Sequence, residues 1–199
     1  PFTMFVMGLS EWAGTHVYLI VAVIVILFVA YEAYYQTEAG RRNIDAIKMK
    51  LPLFGQLVVK SNCSRFARTA STLLAAGVPM IECLDIVSRV VSNVHYSIAI
   101  QNAKEEVMKG IPLSEPLETS GIFPPMVYHM TSIGEDTGNM EDMLTKLADY
   151  YDEEVEITTQ SVLAAMEPLI IVFMALIVGT LVIAVIMPIG AMYEGLDSL

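Results

Sequence analysis

The stretch Leu169–Ile189, LIIVFMALIVGTLVIAVIMPI, decides the fold class because it is apolar throughout and carries no charged side chain. A helix needs about 20 such residues to cross the hydrocarbon core of a bilayer, so this stretch predicts a transmembrane helix. Pro168 and Pro188 stand at its limits, and Glu167 precedes the first of them. Proline kinks a continuous helix, and we therefore expect a bend near Pro168, where a soluble helix enters the membrane.

A second apolar run, Val17–Ala30, predicts another transmembrane helix, which we place at residues 16–36. Tyrosines occupy positions 18, 31, 34 and 35 at its two ends, as is typical of aromatic side chains at membrane interfaces. Glu32 lies near one end, where it is either solvated or hydrogen-bonded to another helix within the membrane. The composition agrees with two spans, since 55% of the residues are hydrophobic and the mean hydropathy is +0.57.

The distribution of basic residues predicts the orientation. All eleven lysines and arginines lie between Arg41 and Lys146, and such residues stay on the cytoplasmic side of a membrane. We therefore predict an extracytoplasmic or interfacial segment (1–15), a transmembrane helix (16–36), a helical cytoplasmic domain (37–165), a second transmembrane helix (166–190) and an extracytoplasmic tail (191–199). The chain opens without an initiator methionine or a signal peptide, and we expect it to be part of a longer protein.

The segment between the spans has a helical periodicity. Phe66, Ala70 and Leu74 fall on one apolar stripe, and Leu144 and Leu147 fall on another. Helix-ending and helix-opening residues separate the elements: Gly77, Pro79, Asn93, Gly110, Pro112, Gly121, Pro124 and Gly138. These signals predict an all-α membrane protein, with a compact antiparallel six-helix cytoplasmic bundle between two transmembrane helices.

Charge is spread unevenly along this segment. Seven basic residues and one acid, Asp45, lie between Arg41 and Arg68, a pattern that predicts anchoring beside anionic lipid. Thirteen acids and two basic residues lie between Glu105 and Glu156. The acidic run 152–156 is interpreted either as a solvated helix face or as a docking surface for a basic partner.

The sequence lacks the patterns of the common catalytic sites. GxxxxGK[ST], HExxH and GxSxG do not occur, and the net charge of −11 argues against nucleic acid as a partner. Cys63 and Cys83 lie twenty residues apart without zinc-type spacing, so we interpret them as small buried hydrophobes. His129 precedes Glu135 and Asp136 by less than two turns, but a lone histidine is usually structural. We predict no catalytic, cofactor-binding or metal-binding residue.

One polar stretch stands out, Ser132–Asn139, SIGEDTGN. Gly134 suits close helix packing, and Gly138 suits a left-handed helix end. Thr137 is expected to bond locally. Glu135 needs partners if it turns inward, because an unpaired buried carboxylate is costly, and we expect backbone or hydroxyl groups to be those partners. An elaborate turn without further function is the alternative interpretation.

Four stretches of the sequence carry a resemblance to a known family. They are FARTASTLLAAGVPMIECLDIVSRVV (66–91), GIPLSEPLETSGIFPPMV (110–127), SIGEDTGNMEDMLTKLADYYDEEVE (132–156) and EPLIIVFMALIVGTLVIAVIMPI (167–189). With the opening Pro1-Phe2, they resemble the C-terminal half of the type II secretion system F / type IV pilus assembly platform family. The GExTG and EPL elements make Gly134, Glu135, Thr137, Gly138, Glu167 and Pro168 the candidate functional residues.

The resemblance implies a multi-pass platform protein of the bacterial inner membrane, with two homologous six-helix cytoplasmic domains and three spans. Its implied partners are a hexameric assembly ATPase, pilins or pseudopilins, other inner-membrane assembly proteins, membrane lipid and further copies of itself. The implied function is to couple the ATPase to pilin extraction and filament assembly, with no catalysis and no cofactor. Two other hypotheses are a transporter or channel subunit using Glu32 and Glu167, and a metal or ligand sensor using the acidic helix.

Overall fold

A computed structural model describes residues 37–52 and 54–196, together with eight residues between positions 22 and 35. Within that described part, seven helices follow one another: α1 (Glu38–Lys50), α2 (Phe54–Ala75), α3 (Met80–Val90), α4 (Val94–Met108), α5 (Ser114–Thr119), α6 (Pro125–Thr137) and α7 (Met140–Leu196). The chain forms two compact units. The helical domain is Tyr35–Val162, and the C-terminal part of α7 from Leu163 belongs to the other unit.

Local signals in the sequence set the helix limits. The Thr37 side chain accepts a hydrogen bond from the Gly40 N–H at 3.2 Å and caps α1. Asn93 likewise caps α4, accepting from the His95 N–H at 2.9 Å. Such side chains satisfy N–H groups that the first turn of a helix leaves without a partner. The predicted helix limits between Gly77 and Gly138 are confirmed to within one or two residues.

The core of the helical domain brings the predicted apolar stripes together. Phe66 and Ala70 of α2 are buried, as are Leu144 and Leu147 of α7. Phe123, in the loop before α6, packs its ring 5.4 Å from that of Phe66. Each helix from α1 to α6 packs against the next one along the chain, and α1 also contacts α4.

The prediction of six helices between the spans is not confirmed. The described part contains seven, because residues 38–50 form α1, which the hydrophobic pattern did not indicate. Its fully buried positions are Gly40 and Asp45 rather than large apolar side chains. A search for an apolar stripe therefore passes over this helix, which is held by polar contacts.

Helix α7 extends further than the sequence predicted. Pro168 and Pro188 were expected to limit the membrane segment, but the helix runs through both and ends at Leu196. A proline removes a single backbone donor, and the surrounding turns keep the helix continuous. The bend predicted at Pro168 stays a prediction.

Among the described residues, α7 is the one helix long and apolar enough to cross a membrane. Its side chains from Leu169 to Phe173 are all exposed, as expected for a surface that lipid or other helices cover. Most of the predicted first span, 16–36, and the segments 1–15 and 197–199 lie outside the described residues. The described residues within the first span are helical, and Glu32 among them is exposed.

Candidate functional site

The site begins at a two-residue junction between α6 and α7. Gly138 follows the last residue of α6 and adopts φ = 68°, the left-handed conformation that glycine tolerates best. Its N–H donates to the Glu135 carbonyl at 3.3 Å. The Thr137 hydroxyl donates to the Ile133 carbonyl at 2.6 Å. The predicted left-handed helix end and the predicted local bond of Thr137 are both confirmed.

Gly134 lets α6 and α7 approach closely. It is buried, and a Cβ atom built on it lies 3.0 Å from both the Cα and the Sδ of Met140. It also lies 3.4 Å from the Cβ of Met143. At 3.0 Å from a backbone atom, a methyl group would fit only if the start of α7 moved away by a few tenths of an ångström, so α7 packs closely against this glycine.

Glu135 connects the junction to α5. Its carboxylate accepts hydrogen bonds from the Leu113 N–H, from the Ser114 N–H at 3.2 Å and from the Ser114 hydroxyl at 2.8 Å. Leu113 and Ser114 form the N-terminus of α5, where backbone N–H groups lack partners within the helix. A negative charge there is also favoured by the helix dipole. The predicted backbone and hydroxyl partners of this carboxylate are confirmed.

The arrangement is therefore a structural connection. Three donors at the start of α5 bind the carboxylate of Glu135. The carbonyl of the same residue accepts from the Gly138 N–H at the turn into α7. Within the described part of the chain, no three histidine, cysteine, aspartate or glutamate side chains are grouped as metal ligands. His129 is exposed and packs edge-on against the ring of Tyr128, 4.7 Å away. The junction joins α5, α6 and α7 through short contacts.

Ion pairs join α7 to α2. The Arg68 guanidinium pairs with Asp149 at 2.6 Å and with Asp152 at 2.5 Å. About two turns earlier on α2, the Lys60 ammonium pairs with Glu154 at 2.6 Å and donates to the Thr158 hydroxyl at 3.0 Å. Part of the predicted basic stretch thus pairs with part of the acidic run, and neither is wholly free for lipid or a partner protein.

The pKa of Asp152 reflects these contacts. Burial opposes its ionisation, but hydrogen bonds from Ser64 and Arg68 outweigh burial and hold the pKa of the carboxyl below its ordinary value. Because both Arg68 and Asp152 are more than 40% exposed, solvent screens the pair and limits its contribution to about 1 kcal/mol. The pairs fix the register of α7 on α2 more than they add stability.

The sequence did not reveal a buried polar cluster that holds α1. The Asp45 carboxylate accepts from the Val94 N–H at 3.0 Å, and the Asp45 carbonyl accepts from the Asn93 amide at 3.2 Å. The Asn62 side-chain oxygen accepts from the N–H groups of Ser92 and Asn93 at 3.0 and 3.1 Å. Asp45, Asn62 and Asn93 are each at most 3% exposed. The one sequence feature that could have drawn attention to this cluster is Asp45, the single acid in a basic stretch.

Glu167 and Pro168 are separate from the other four candidate residues. Both lie in the second unit and are exposed within it. Thr180, the one hydroxyl in the apolar part of α7, donates to the Leu176 carbonyl of its own helix at 2.7 Å. This internal bond leaves little polarity on α7 for an ion path.

The two cysteines behave as buried hydrophobes. Both are free thiols and fully buried. Burial raises the pKa of the Cys63 thiol to about 12 and that of Cys83 to about 11. A thiol in such surroundings is a poor nucleophile and a poor metal ligand at neutral pH.

The sequence is similar to that of curated bacterial proteins. A Type IV pilus assembly protein PilC from Pseudomonas aeruginosa is 38% identical over 94% of this chain and 50% of its own length. One from Thermus thermophilus is 40% identical over 94% of this chain and 46% of its own. A Type II secretion system protein F from Aeromonas hydrophila is 38% identical over 76% of this chain and 39% of its own. The chain thus spans about half the length of the pilus assembly relatives.

Residues 66–188 match the profile of the family Type II secretion system (T2SS), protein F. That match begins at Phe66 in the core of α2 and continues into the apolar part of α7, so it covers both the Glu135 junction and the membrane-capable helix. The match extends over more than half of the 199 residues. The chain therefore belongs to the type II secretion system protein F family.

Proposed function

We propose that this chain is part of a non-catalytic platform protein in the bacterial inner membrane, serving a type IV pilus or type II secretion machine. Its helical domain faces the cytoplasm and contacts a hexameric assembly ATPase. Its membrane helices contact pilins or pseudopilins, other inner-membrane assembly proteins and further copies of the platform. The proposed role is to convert motion of the ATPase into extraction of pilins and growth of a filament.

The observation that carries this proposal is the continuity of α7. The helix starts in the core of the helical domain, with Leu144 and Leu147 buried, and continues without a break into the apolar segment after Pro168. A helix is a rigid element because each residue is hydrogen-bonded to the next turn. A displacement of its buried end is therefore carried along the chain towards the membrane segment.

The junction at Glu135 supports the same role. Three hydrogen bonds hold the turn before α7 to the start of α5, and Gly134 packs directly on Met140. A force applied to α5 or α6 thus reaches α7 through short contacts, whereas a loose junction would absorb it. Candidate residues of this kind need no catalytic chemistry, since the ATPase supplies the energy.

The proposal is tested by replacing Glu135 with alanine in the bacterium that carries the protein. We expect loss of filaments, or of secretion, while the amount of protein in the membrane stays the same. Asp136→Ala is the matched control, because Asp136 is the adjacent exposed acid and removal of its charge leaves the α5 contacts intact. Normal assembly in the Glu135 variant would contradict the proposal.

A further inference from the structure

The structure divides the basic stretch between Arg41 and Arg68 into two parts with different surroundings. Lys60 and Arg68 pair with acids of α7. Arg41, Arg42 and Lys50 of α1 are exposed, and none of the ion pairs found among the described residues involves them. The three cations of α1 are therefore available to an anionic partner outside the domain, as is Arg65 of α2, which is exposed and takes part in none of the ion pairs of the described residues.

Large apolar side chains accompany these exposed cations. Ile47 is 59% exposed, Leu51 46% and Phe54 48%. Ile47 and Leu51 lie one helical turn apart, and the Gly55 N–H donates to the Leu51 carbonyl at 2.8 Å, so a tight turn brings Phe54 beside them. We call this surface, formed by Arg41, Arg42, Ile47, Lys50, Leu51 and Phe54, the α1 corner.

Asp45, the acidic residue within this segment, is buried and does not add negative charge to the α1 corner. Asp45 is the only acid between positions 39 and 81, and its buried carboxylate binds the Val94 N–H and the Lys48 ammonium. From residue 40 to residue 54 the exposed side chains are therefore basic or uncharged, and the nearest acid before them is Glu38, the first residue of α1. Cations beside exposed apolar residues are typical of segments that lie in the interface of an anionic membrane.

We infer that the α1 corner rests on the anionic surface of the membrane, with Leu51 and Phe54 inserted among the lipid headgroups. Chain continuity favours lipid over a protein as the occupant, since α1 starts at Glu38, directly after the predicted span 16–36. The inference rests on the proposed function in one respect, namely that the helical domain lies beside the membrane from which that span emerges. The buried contact of Asp45 with α4 then ties the membrane surface to the core of the domain.

The test uses nitroxide spin labels on the whole chain reconstituted in lipid nanodiscs. Single cysteines replace Leu51 or Phe54, and Met108→Cys is the matched control, because Met108 is an apolar residue 63% exposed at the end of α4, beside Glu105 and Glu106. The native thiols are buried, and the parent chain checks that they stay unlabelled. A high collision rate of the nitroxide with oxygen indicates that the label lies in lipid. A high collision rate with a soluble nickel chelate indicates that it lies in water.

We expect the ratio of oxygen to nickel collisions at positions 51 and 54 to exceed that at 108. The ratio should rise further when phosphatidylglycerol is added to phosphatidylcholine. The triple variant Arg41→Gln, Arg42→Gln, Lys50→Gln should abolish that rise. Nickel access equal to that at 108 would overturn the inference, as would protection from both probes, which indicates a protein occupant. A rise that persists in the triple variant would overturn the assigned role of the three cations.

The same measurement separates this inference from the proposed function. It contains no ATPase and no pilin, so a failure at positions 51 and 54 refutes lipid contact and leaves the role in filament assembly to its own test. Loss of assembly in the Glu135 experiment would occur whether or not the α1 corner meets lipid. Thermal unfolding of each labelled variant checks that these exposed substitutions leave the fold intact.

Discussion

Replacing Glu135 with alanine removes the acceptor of three hydrogen bonds at the start of α5. A hydrogen bond to a charged group contributes about 1.5–3 kcal/mol, but Glu135 is only partly buried, and water replaces part of what is lost. We therefore expect the opening free energy at Leu113 and Ser114 to fall by about 2 kcal/mol. Their amide protons then exchange with solvent about 30-fold faster, since 1.4 kcal/mol is a factor of ten.

Hydrogen–deuterium exchange of the reconstituted chain, read by mass spectrometry on peptides that cover residues 110–118, measures this change. Glu135→Gln keeps one carbonyl acceptor and should give a smaller increase, and Asp136→Ala should give none. The core of α2 around Phe66 should keep its protection in all three variants, which separates a local effect from global unfolding. Unchanged exchange at 113 and 114 in the alanine variant would refute the connection between the junction and α5.

Three further outcomes follow from the described contacts. Gly134→Ala places a methyl group against the backbone of α7 at 3.0 Å and should destabilise the helical domain by about 1–3 kcal/mol in thermal unfolding, whereas Gly179→Ala, with open space around it, should not. Asp45→Ala leaves the partly buried Val94 N–H without its acceptor and should lower the free energy of unfolding by about 1–3 kcal/mol. The change should appear as faster exchange at the turn before α4, with no such change at the Glu135 junction. Burial raises the pKa of Cys63 from 9.0 to about 12, so between these values the folded chain keeps a thiol proton that the unfolded chain loses. The free energy of unfolding should therefore decline as pH rises above 9. Alkylation of Cys63 at pH 9 should be slow until denaturant is added.

The sequence was informative where local rules act alone. Left-handed glycine at Gly138 and proline before α6 predicted the limits of that helix, because backbone conformation there depends on a single residue. The buried faces of α2 and α7 were also predicted, since apolar spacing at Phe66 and Leu144 reflects burial directly. The partner class of Glu135 followed from the cost of burying a carboxylate without donors.

Contacts between polar residues that lie far apart in the sequence were not predicted. Nothing in the spacing of Asp45, Asn62 and Asn93 indicates that a helix without a large apolar face docks through them. Likewise, the basic stretch and the acidic run looked like two surfaces for outside partners, but Lys60 and Arg68 pair with α7 across more than 80 positions. Which charged residues pair inside a domain depends on how the helices pack, and the spacing of residues along the chain does not determine that packing.

In the proposed function, α7 couples the helical domain to the membrane as one continuous helix. The most direct test replaces residues 163–166 of α7 with glycine in one variant and with alanine in another. Both variants truncate Leu163 and Met166, but glycine also removes every Cβ atom and weakens the helix by about 1 kcal/mol per residue relative to alanine. With equal amounts of both proteins in the membrane, we predict filament assembly or secretion in the alanine variant and its loss in the glycine variant. Equal assembly in the two variants would contradict the claim.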